Sequence, residues 1–224
     1  MVLMKETIPL FKVFMSPTAK DKAGEVLDSG YIGQGAKVDE FEKQIGNYFG
    51  NNKVVTTNAG TSALHLALHL LKKPKPHWNE DVFQGVAFVS HHWPGIEDGD
   101  EVLATPLTCT ASNWPIVANN LKIKWVDIDP TTLNMCLKDL EKKMTPKTKA
   151  IMGVHWGGYP LDLDKIRDIR AKFRGKNGWA PALIEDGAHA FGSKYKGKYL
   201  GNHGNFVMNS LQAIKHITSV DGGL

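Results

Sequence analysis

The sequence predicts an α/β fold, with a mostly parallel sheet sandwiched by helices. The first observation is that strand-like segments alternate with helix-periodic segments at least four times along the chain. The second is that a polar or Gly-rich stretch follows each predicted strand, where parallel sheets bind ligands. The chain has 224 residues, 42% of them hydrophobic and 22% charged, which is enough for one large core.

Two helices are predicted before the first strand. The segment SPTAKDKAGEVLDSG has Ser16 as a candidate N-cap, Pro17 at the first helical position and Gly30 just past the end. The segment AKVDEFEKQIGNYFG places its apolar residues at helical spacing, and Gly50 is the expected stop.

Strands and helices then alternate. The predicted strands are KVVTT (53–57), EVLAT, KIKWVDI, KAIMGVH, PALIED and NFVMNS. The predicted helices between them are TSALHLALHLL, SNWPIVANN, LKDLEKKM and DLDKIRDIRAKF, and FGSKYKGKYLG is predicted to be a short hairpin.

One segment interrupts this alternation. Residues 72–98 are rich in Pro, His and Trp and show weak periodicity. We interpret them as a surface excursion, with a short element around VFQGVAFV, inserted into a single domain that covers residues 1–224.

Composition argues against several classes of protein. The formal net charge is only +4, and the basic residues are scattered, so nucleic-acid binding is not expected. Cys109 and Cys136 lack metal-type spacing, which favours a reducing compartment. Lys, Glu and Pro interrupt the first residues, unlike a signal peptide, and no apolar run approaches the roughly 20 residues that span a bilayer. We therefore expect a cytoplasmic protein that does not bind membranes.

Three strand ends carry residues that could bind a ligand, and each has a simpler explanation. Gly60, Thr61 and Ser62 open a helix, which suits a phosphate, although Thr61 or Ser62 could merely cap that helix. Asp186 ends an apolar strand and could pair with a buried cation or cap the following turn. Lys215 could form a Schiff base or lie in solvent.

Together these three groups match the needs of pyridoxal phosphate (PLP). A helix N-terminus suits its phosphate, a carboxylate suits its pyridinium nitrogen, and a lysine suits its aldehyde. His189, three residues after Asp186, could donate a hydrogen bond in the same cleft or be purely structural.

The chain resembles the DegT/StrS group of PLP-dependent sugar-nucleotide aminotransferases, which have the aspartate aminotransferase-like fold. The segments that carry the resemblance are SGYIGQGAKVDEFEKQIGNYFG, TTNAGTSALHLAL, PLTCTASNWPI, VDIDPTTLNM, HWGGYPLDLDKI, IEDGAHAFGSKYKGKYLG and NSLQAIKHITSVDGG.

The resemblance implies a role for each site residue. Lys215 matches the Schiff-base lysine, and Asp186 matches the residue that holds the pyridinium proton. Gly60, Thr61 and Ser62 match the phosphate loop, and Ser210 matches a hydroxyl on the same phosphate. His189 stands where many members have a Gln near the phenolic oxygen of PLP.

The reaction implied by the resemblance transfers an amino group from an amino acid, with glutamate the expected donor, to a keto sugar nucleotide. Members are expected to form homodimers. Related dehydratases carry His in place of the lysine, so Lys215 argues against that branch.

The sequence also departs from the family pattern. PLTCTASNW puts Cys109 near the place of an aromatic residue that stacks on PLP, and Trp114 is an alternative stacking residue. Members continue past the Gly-Gly after the lysine and add a small C-terminal domain, so we expect this chain to lack that part.

Three alternatives stay open at this point. The chain could be a PLP-fold remnant or partner subunit that binds cofactor but is inactive alone, or another fold-type-I enzyme such as a lyase. His65 and His69 stand four residues apart on a predicted helix, as in some zinc pairs, but no third ligand accompanies them, so no metal is expected.

Overall fold

A five-stranded parallel sheet lies at the centre of the molecule. The computed structural model describes residue 9 and residues 11–72 and 93–224. The strands of the sheet are β1 (Glu101–Ala104), β2 (Lys122–Trp125), β3 (Thr148–Val154), β4 (Ala182–Asp186) and β7 (Phe206–Met208), in the spatial order β2-β1-β3-β4-β7. All neighbouring pairs are parallel, and this confirms the predicted fold class.

Helices and one hairpin complete the described architecture. The helices are α1 (Ala19–Ser29), α2 (Ala36–Phe49), α3 (Gly60–Leu70), α4 (Thr110–Ala118), α5 (Leu137–Lys143) and α6 (Leu163–Asn177), with a short 3-10 turn at Trp156–Gly158. Strands β5 (Lys194–Tyr195) and β6 (Lys198–Tyr199) form the predicted antiparallel hairpin.

Side chains of the central strands pack alternately on the two faces of the sheet. One apolar cluster joins α3 and α4 to Val102, Ala104, Ala150, Met152, Ala182 and Ile184. The other joins α5 and α6 to Leu103, Ile151 and Leu183. Successive side chains of a strand point to opposite faces, so strands covered on both sides must be apolar throughout. This explains why VLA in β1, AIMGV in β3 and ALI in β4 are continuous apolar runs.

The first helix begins later than the sequence predicted. Ser16 was predicted to be its N-cap, but α1 starts at Ala19, and Thr18 occupies the N-cap position. The Ser16 hydroxyl instead lies 2.9 Å from the Thr18 hydroxyl and accepts a hydrogen bond from the Thr18 N–H. The helix ends were better predicted, because Gly30 and Gly50 follow α1 and α2 with φ of 73° and 69°.

The predicted strand over residues 53–57 does not form. Thr57 alone makes a bridge, antiparallel to Gly223, through Thr57 N–H to Gly223 O at 2.8 Å and Gly223 N–H to Thr57 O at 2.9 Å. A β-branched sequence needs a paired neighbour to become a strand. The described structure forms no strand over residues 53–57, so propensity alone misled the prediction.

The predicted excursion is only partly described. Its start, Lys72, and its end, residues 93–98, are visible, whereas the predicted element VFQGVAFV lies outside the described residues. At the visible end, Ile96 is 1% exposed, and its N–H bonds to the Leu71 carbonyl at 2.9 Å. The Trp93 indole N–H reaches the same carbonyl at 3.3 Å. The end of the segment is therefore anchored to the C-terminus of α3.

A cleft of about 700 Å³ lies beside β7, between that strand and helices α2 and α3. Phe49, Leu66, Leu70 and Phe206 give it apolar walls. Asp186, His189 and Lys215 are not among its lining residues. This cleft is therefore distinct from the sheet edge that carries the predicted cofactor residues.

Replacing Ile166 by Ala in α6 should destabilise the chain by about 2–5 kcal/mol, because a fully buried side chain is deleted and leaves a cavity. Equilibrium unfolding in urea measures this loss. The control is Leu27→Ala in α1, where the side chain is 67% exposed and the expected change is within about 0.5 kcal/mol. Equal losses of unfolding free energy in the two variants would contradict the packing of α6 against the sheet.

Candidate functional site

The predicted site residues gather at the carboxyl edge of the sheet. Asp186 is the last residue of β4, Ser210 follows β7, and α3 begins at Gly60. The spatial order places β1 and β3 side by side with their crossovers on opposite faces, which is where ligands bind in open α/β sheets.

The Asp186 carboxylate is buried and fixed at both oxygens. The residue is 3% exposed. Its Oδ1 accepts the Ala188 N–H at 3.0 Å, and its Oδ2 lies 2.6 Å from the Ser112 hydroxyl of α4. One alternative was that Asp186 only caps the following turn. The Ala188 contact is such a cap, and the Ser112 contact is additional.

The N-terminus of α3 has no side-chain cap. Ala59 occupies the N-cap position, while Thr61 and Ser62 lie within the first turn. The alternative that either hydroxyl caps this helix is therefore wrong. A helix start without a cap presents backbone N–H groups that lack partners within the helix, as anion sites do.

Met208 and Ser210 lie so close to Gly60 that a side chain at position 60 would crowd them. A Cβ at position 60 would lie 2.9 Å from the Met208 sulphur and 3.3 Å from the Ser210 Cβ. Ser210 therefore sits directly beside the first turn of α3, so one hydroxyl and one helix N-terminus share a small space. The sequence separates them by 150 residues.

Lys215 lies in a loop that is closed at its base. The Leu211 N–H bonds to Gly222 O at 2.9 Å, and the Ser219 N–H bonds to Leu211 O at 3.1 Å. Lys215 is half-buried between these contacts, and its own N–H bonds to Gln212 O at 2.9 Å. The expectation of a fully solvated lysine is therefore wrong.

The charges of Asp186 and Lys215 both act on the pKa of His189. Burial lowers the pKa of the His189 imidazole, and the positive charges of Lys215 and His216 lower it further, while the negative charge of Asp186 opposes them. The imidazole also packs edge-to-face with Trp156, at 5.3 Å between ring centroids. His189 is therefore a neutral group held within the influence of both predicted catalytic charges.

A second buried pair lies on the other face of β4. Glu185 and His155 are both fully buried, and Glu185 Oε2 lies 2.9 Å from His155 Nε2. The Leu161 N–H donates to His155 Nδ1 at 3.0 Å, so the ring proton sits on Nε2 and points to Glu185. This pair anchors the turn that carries Trp156.

Sequence reasoning missed Ser112 and Trp156. Ser112 lies in the first turn of α4, four residues after Thr108 in the preceding loop, but no local pattern shows that it reaches β4. Among the residues considered for stacking, Trp114 is 59% exposed on α4, and Cys109 is an exposed free thiol at its N-cap. No described contact places either of them beside Asp186 or His189.

Two features are absent from the described ranges, a metal-binding cluster and a membrane-spanning helix. Across residues 11–72 and 93–224, no group of three or more His, Cys, Asp or Glu side chains could hold a metal ion. Within the same ranges, none of the helices has the length and apolar character needed to cross a bilayer.

Comparison with known sequences identifies the family. The sequence profile of the DegT/DnrJ/EryC1/StrS aminotransferase family matches residues 15–77 and 86–224. The chain belongs to this family. The two matched ranges include every predicted site residue, from Gly60 to Lys215.

Relatives of this aminotransferase-family chain are similar over half their length. GDP-perosamine synthase of Escherichia coli O157:H7 is 36% identical over 97% of this chain and 52% of its own length. AtS13 of Actinomadura melliaura is 49% identical, with a TM-score of 0.84 over 96% of this chain and 52% of that protein. The sugar aminotransferase CalS13 of Micromonospora echinospora is 42% identical, with a TM-score of 0.84 over 97% and 53%.

A further relative bears on the cofactor. GDP-4-keto-6-deoxy-D-mannose-3-dehydratase of Escherichia coli, solved with bound hydrated PLP, is 26% identical, with a TM-score of 0.80 over 97% of this chain and 50% of that enzyme. PLP is the expected cofactor of this aminotransferase-family chain, and the start of α3 beside Ser210 and the buried Asp186 fit its phosphate and ring nitrogen.

Removing the charge of Lys215 with Lys215→Ala should raise the pKa of His189, and Asp186→Asn should lower it, because these charges act on it in opposite directions. Titration of the histidine ring signals by NMR measures both shifts. His65 on α3 is the control and should not move. If the His189 titration is unchanged in both variants, the inferred closeness of His189 to Lys215 and Asp186 is wrong.

The same depressed pKa sets a pH dependence of stability. The unfolded chain takes up the His189 proton at higher pH than the folded chain does, so the contribution of this group to stability is complete above the usual histidine pKa. It is lost as the pH falls through that value towards the folded pKa. His189→Gln should therefore flatten the acid side of an unfolding profile.

Proposed function

We propose that this chain forms the cofactor-binding part of a PLP-dependent sugar aminotransferase, which transfers an amino group from glutamate to a keto sugar nucleotide. The observation that carries the proposal is the shared edge of the sheet, where the start of α3, the buried Asp186 and the loop of Lys215 meet. Family membership and the named sugar aminotransferase relative support the reaction class.

In this proposal, different residues contact different parts of the cofactor. Gly60, Thr61 and Ser62 at the start of α3 would hold the phosphate together with the Ser210 hydroxyl, because helix N-termini favour anions. The Asp186 carboxylate accepts the proton of the ring nitrogen. Neutral His189 can donate or accept a hydrogen bond near the phenolic oxygen without repelling Lys215.

The chain also supplies the groups that move protons. PLP, when bound, provides an electron-withdrawing ring that stabilises negative charge on the substrate carbon. Lys215 Nζ would be the covalent anchor and would also supply the base that takes the proton from that carbon. Asp186 keeps the proton on the ring nitrogen by its negative charge. The lysine also distinguishes this chain from the dehydratase branch, for which the resemblance implies a histidine.

A second candidate function is a chain that binds PLP without turning over alone, either as a remnant or as a partner subunit. The observation behind it is that the chain spans about half the length of the curated relatives it matches. The two candidates share the cofactor site and differ in the need for residues from elsewhere.

We also propose that the chain forms a homodimer in the cytoplasm. Apolar side chains cluster in and beside α1 at high exposure, with Phe14 at 80%, Leu27 at 67%, Tyr31 at 85% and Ile32 at 72%. Exposed apolar groups of this kind mark protein interfaces. Both cysteines are free thiols, as a reducing compartment would leave them.

Purified chain mixed with PLP should develop a visible absorbance band that Lys215→Ala abolishes, because the band requires the covalent bond to Nζ. Absorbance spectroscopy with increasing PLP gives the affinity. Asp186→Asn keeps the shape of the side chain but removes its charge, and it should weaken PLP binding by roughly tenfold or more.

Glutamate added to the loaded wild-type chain should bleach this band if the amino donor is bound. A stable band with no response to glutamate would favour the second candidate. A chain that forms no lysine-dependent band would overturn both candidates.

A further inference from the structure

We propose that Ser112, supported by Thr108, is a positioning residue that fixes the Asp186 carboxylate for the nitrogen of the cofactor ring. This inference rests on the proposed PLP site and deepens it. Family resemblance led us to Asp186, but it gave no role to the hydroxyls of α4 and its N-terminal loop.

The contacts form one chain of hydrogen bonds. Ser112 Oγ lies 2.6 Å from Asp186 Oδ2, and both residues are almost fully buried, at 1% and 3% exposure. Thr108 Oγ1 lies 2.6 Å from Ser112 Oγ. Thr108 is half-buried in the loop between β1 and α4, at the same sheet edge as the cofactor residues.

The direction of each hydrogen bond follows from the chemistry of the groups. An ionised carboxylate only accepts, so the one proton of Ser112 must go to Asp186. The Ser112 oxygen can then only accept from Thr108, so Thr108 donates to Ser112. The order of donation is therefore Thr108 to Ser112 to Asp186.

This use of a helical serine differs from the usual one. Serine inside a helix commonly returns its hydroxyl proton to the backbone carbonyl one turn earlier. Ser112 instead donates to a strand 74 residues away, and the group one turn before it, Thr108, contributes its hydroxyl. The arrangement therefore serves Asp186 rather than the helix.

The consequence is a carboxylate that cannot rotate freely. Ala188 N–H holds Oδ1, and Ser112 holds Oδ2, so rotation of the group breaks both hydrogen bonds. The remaining lone pairs then have a fixed direction before any ligand arrives. A pre-oriented acceptor loses less entropy on binding than a mobile one.

The test compares PLP with an analogue in which carbon replaces the ring nitrogen. If Ser112 acts through Asp186 on that nitrogen, Ser112→Ala should weaken PLP binding by roughly tenfold, as expected for loss of a hydrogen bond to a charged group. Binding of the analogue should be unchanged. Ser112→Thr retains the hydroxyl and should restore PLP affinity, and Thr108→Val should give a smaller loss that also depends on the nitrogen.

A double-mutant cycle provides the second readout. In an Asp186→Ala background, Ser112→Ala should have no further effect on PLP affinity, because the two residues act as one unit. Circular dichroism checks that each variant is folded.

The outcomes are distinct. Equal losses for PLP and for the analogue would make Ser112 a packing residue and overturn the inference, as would no loss for either ligand. Additive effects of the two alanine substitutions would overturn it as well. The wild-type chain tests the proposed function separately. If it forms no lysine-dependent absorbance band with PLP, the proposed function is wrong, whatever the Ser112 variants show.

Discussion

The last two residues of β4 are carboxylates that point to opposite faces of a buried sheet, and both lie away from water. An unpaired buried charge costs several kcal/mol, so the surrounding structure is bound to supply donors. On one face α4 supplies Ser112 for Asp186, and on the other His155, the residue after β3, contacts Glu185. These two contacts place polar groups within the apolar packing at this end of the sheet.

The Glu185 side of the strand has its own consequences. Burial lowers the pKa of the Arg170 guanidinium, and the nearby Glu185 charge opposes that effect. Arg170 donates to Pro181 O at 2.7 Å and to Asn205 Oδ1 at 2.8 Å, so it ties α6 to the residues that directly precede β4 and β7. Gly204 packs so tightly here that a Cβ would come within 2.3 Å of Glu185 Oε1. The face without predicted site residues therefore holds β4 in place for the face that has them.

The sequence predicted the parts of this protein that follow from local rules. Continuous apolar runs such as AIMGV identified the buried strands, and the glycines after α1 and α2 marked their ends. Prediction failed where the local structure depends on a residue that is distant in the sequence. Thr57 pairs with Gly223 in an isolated bridge, and the described part of the chain forms no strand over residues 53–57 despite their strong β-propensity. Ser112 escaped notice for the same reason, because its partner lies in another strand.

The packing of Gly223 adds a mechanical relation between the phosphate site and the lysine. A Cβ at this residue would lie 2.6 Å from the backbone nitrogen of Gly60, and Ser210 flanks the same turn from the opposite end of the loop. The Lys215 loop thus leaves and returns at one point, the start of α3. The distance between the proposed phosphate site and the Lys215 amine therefore depends on these contacts at the base of the loop.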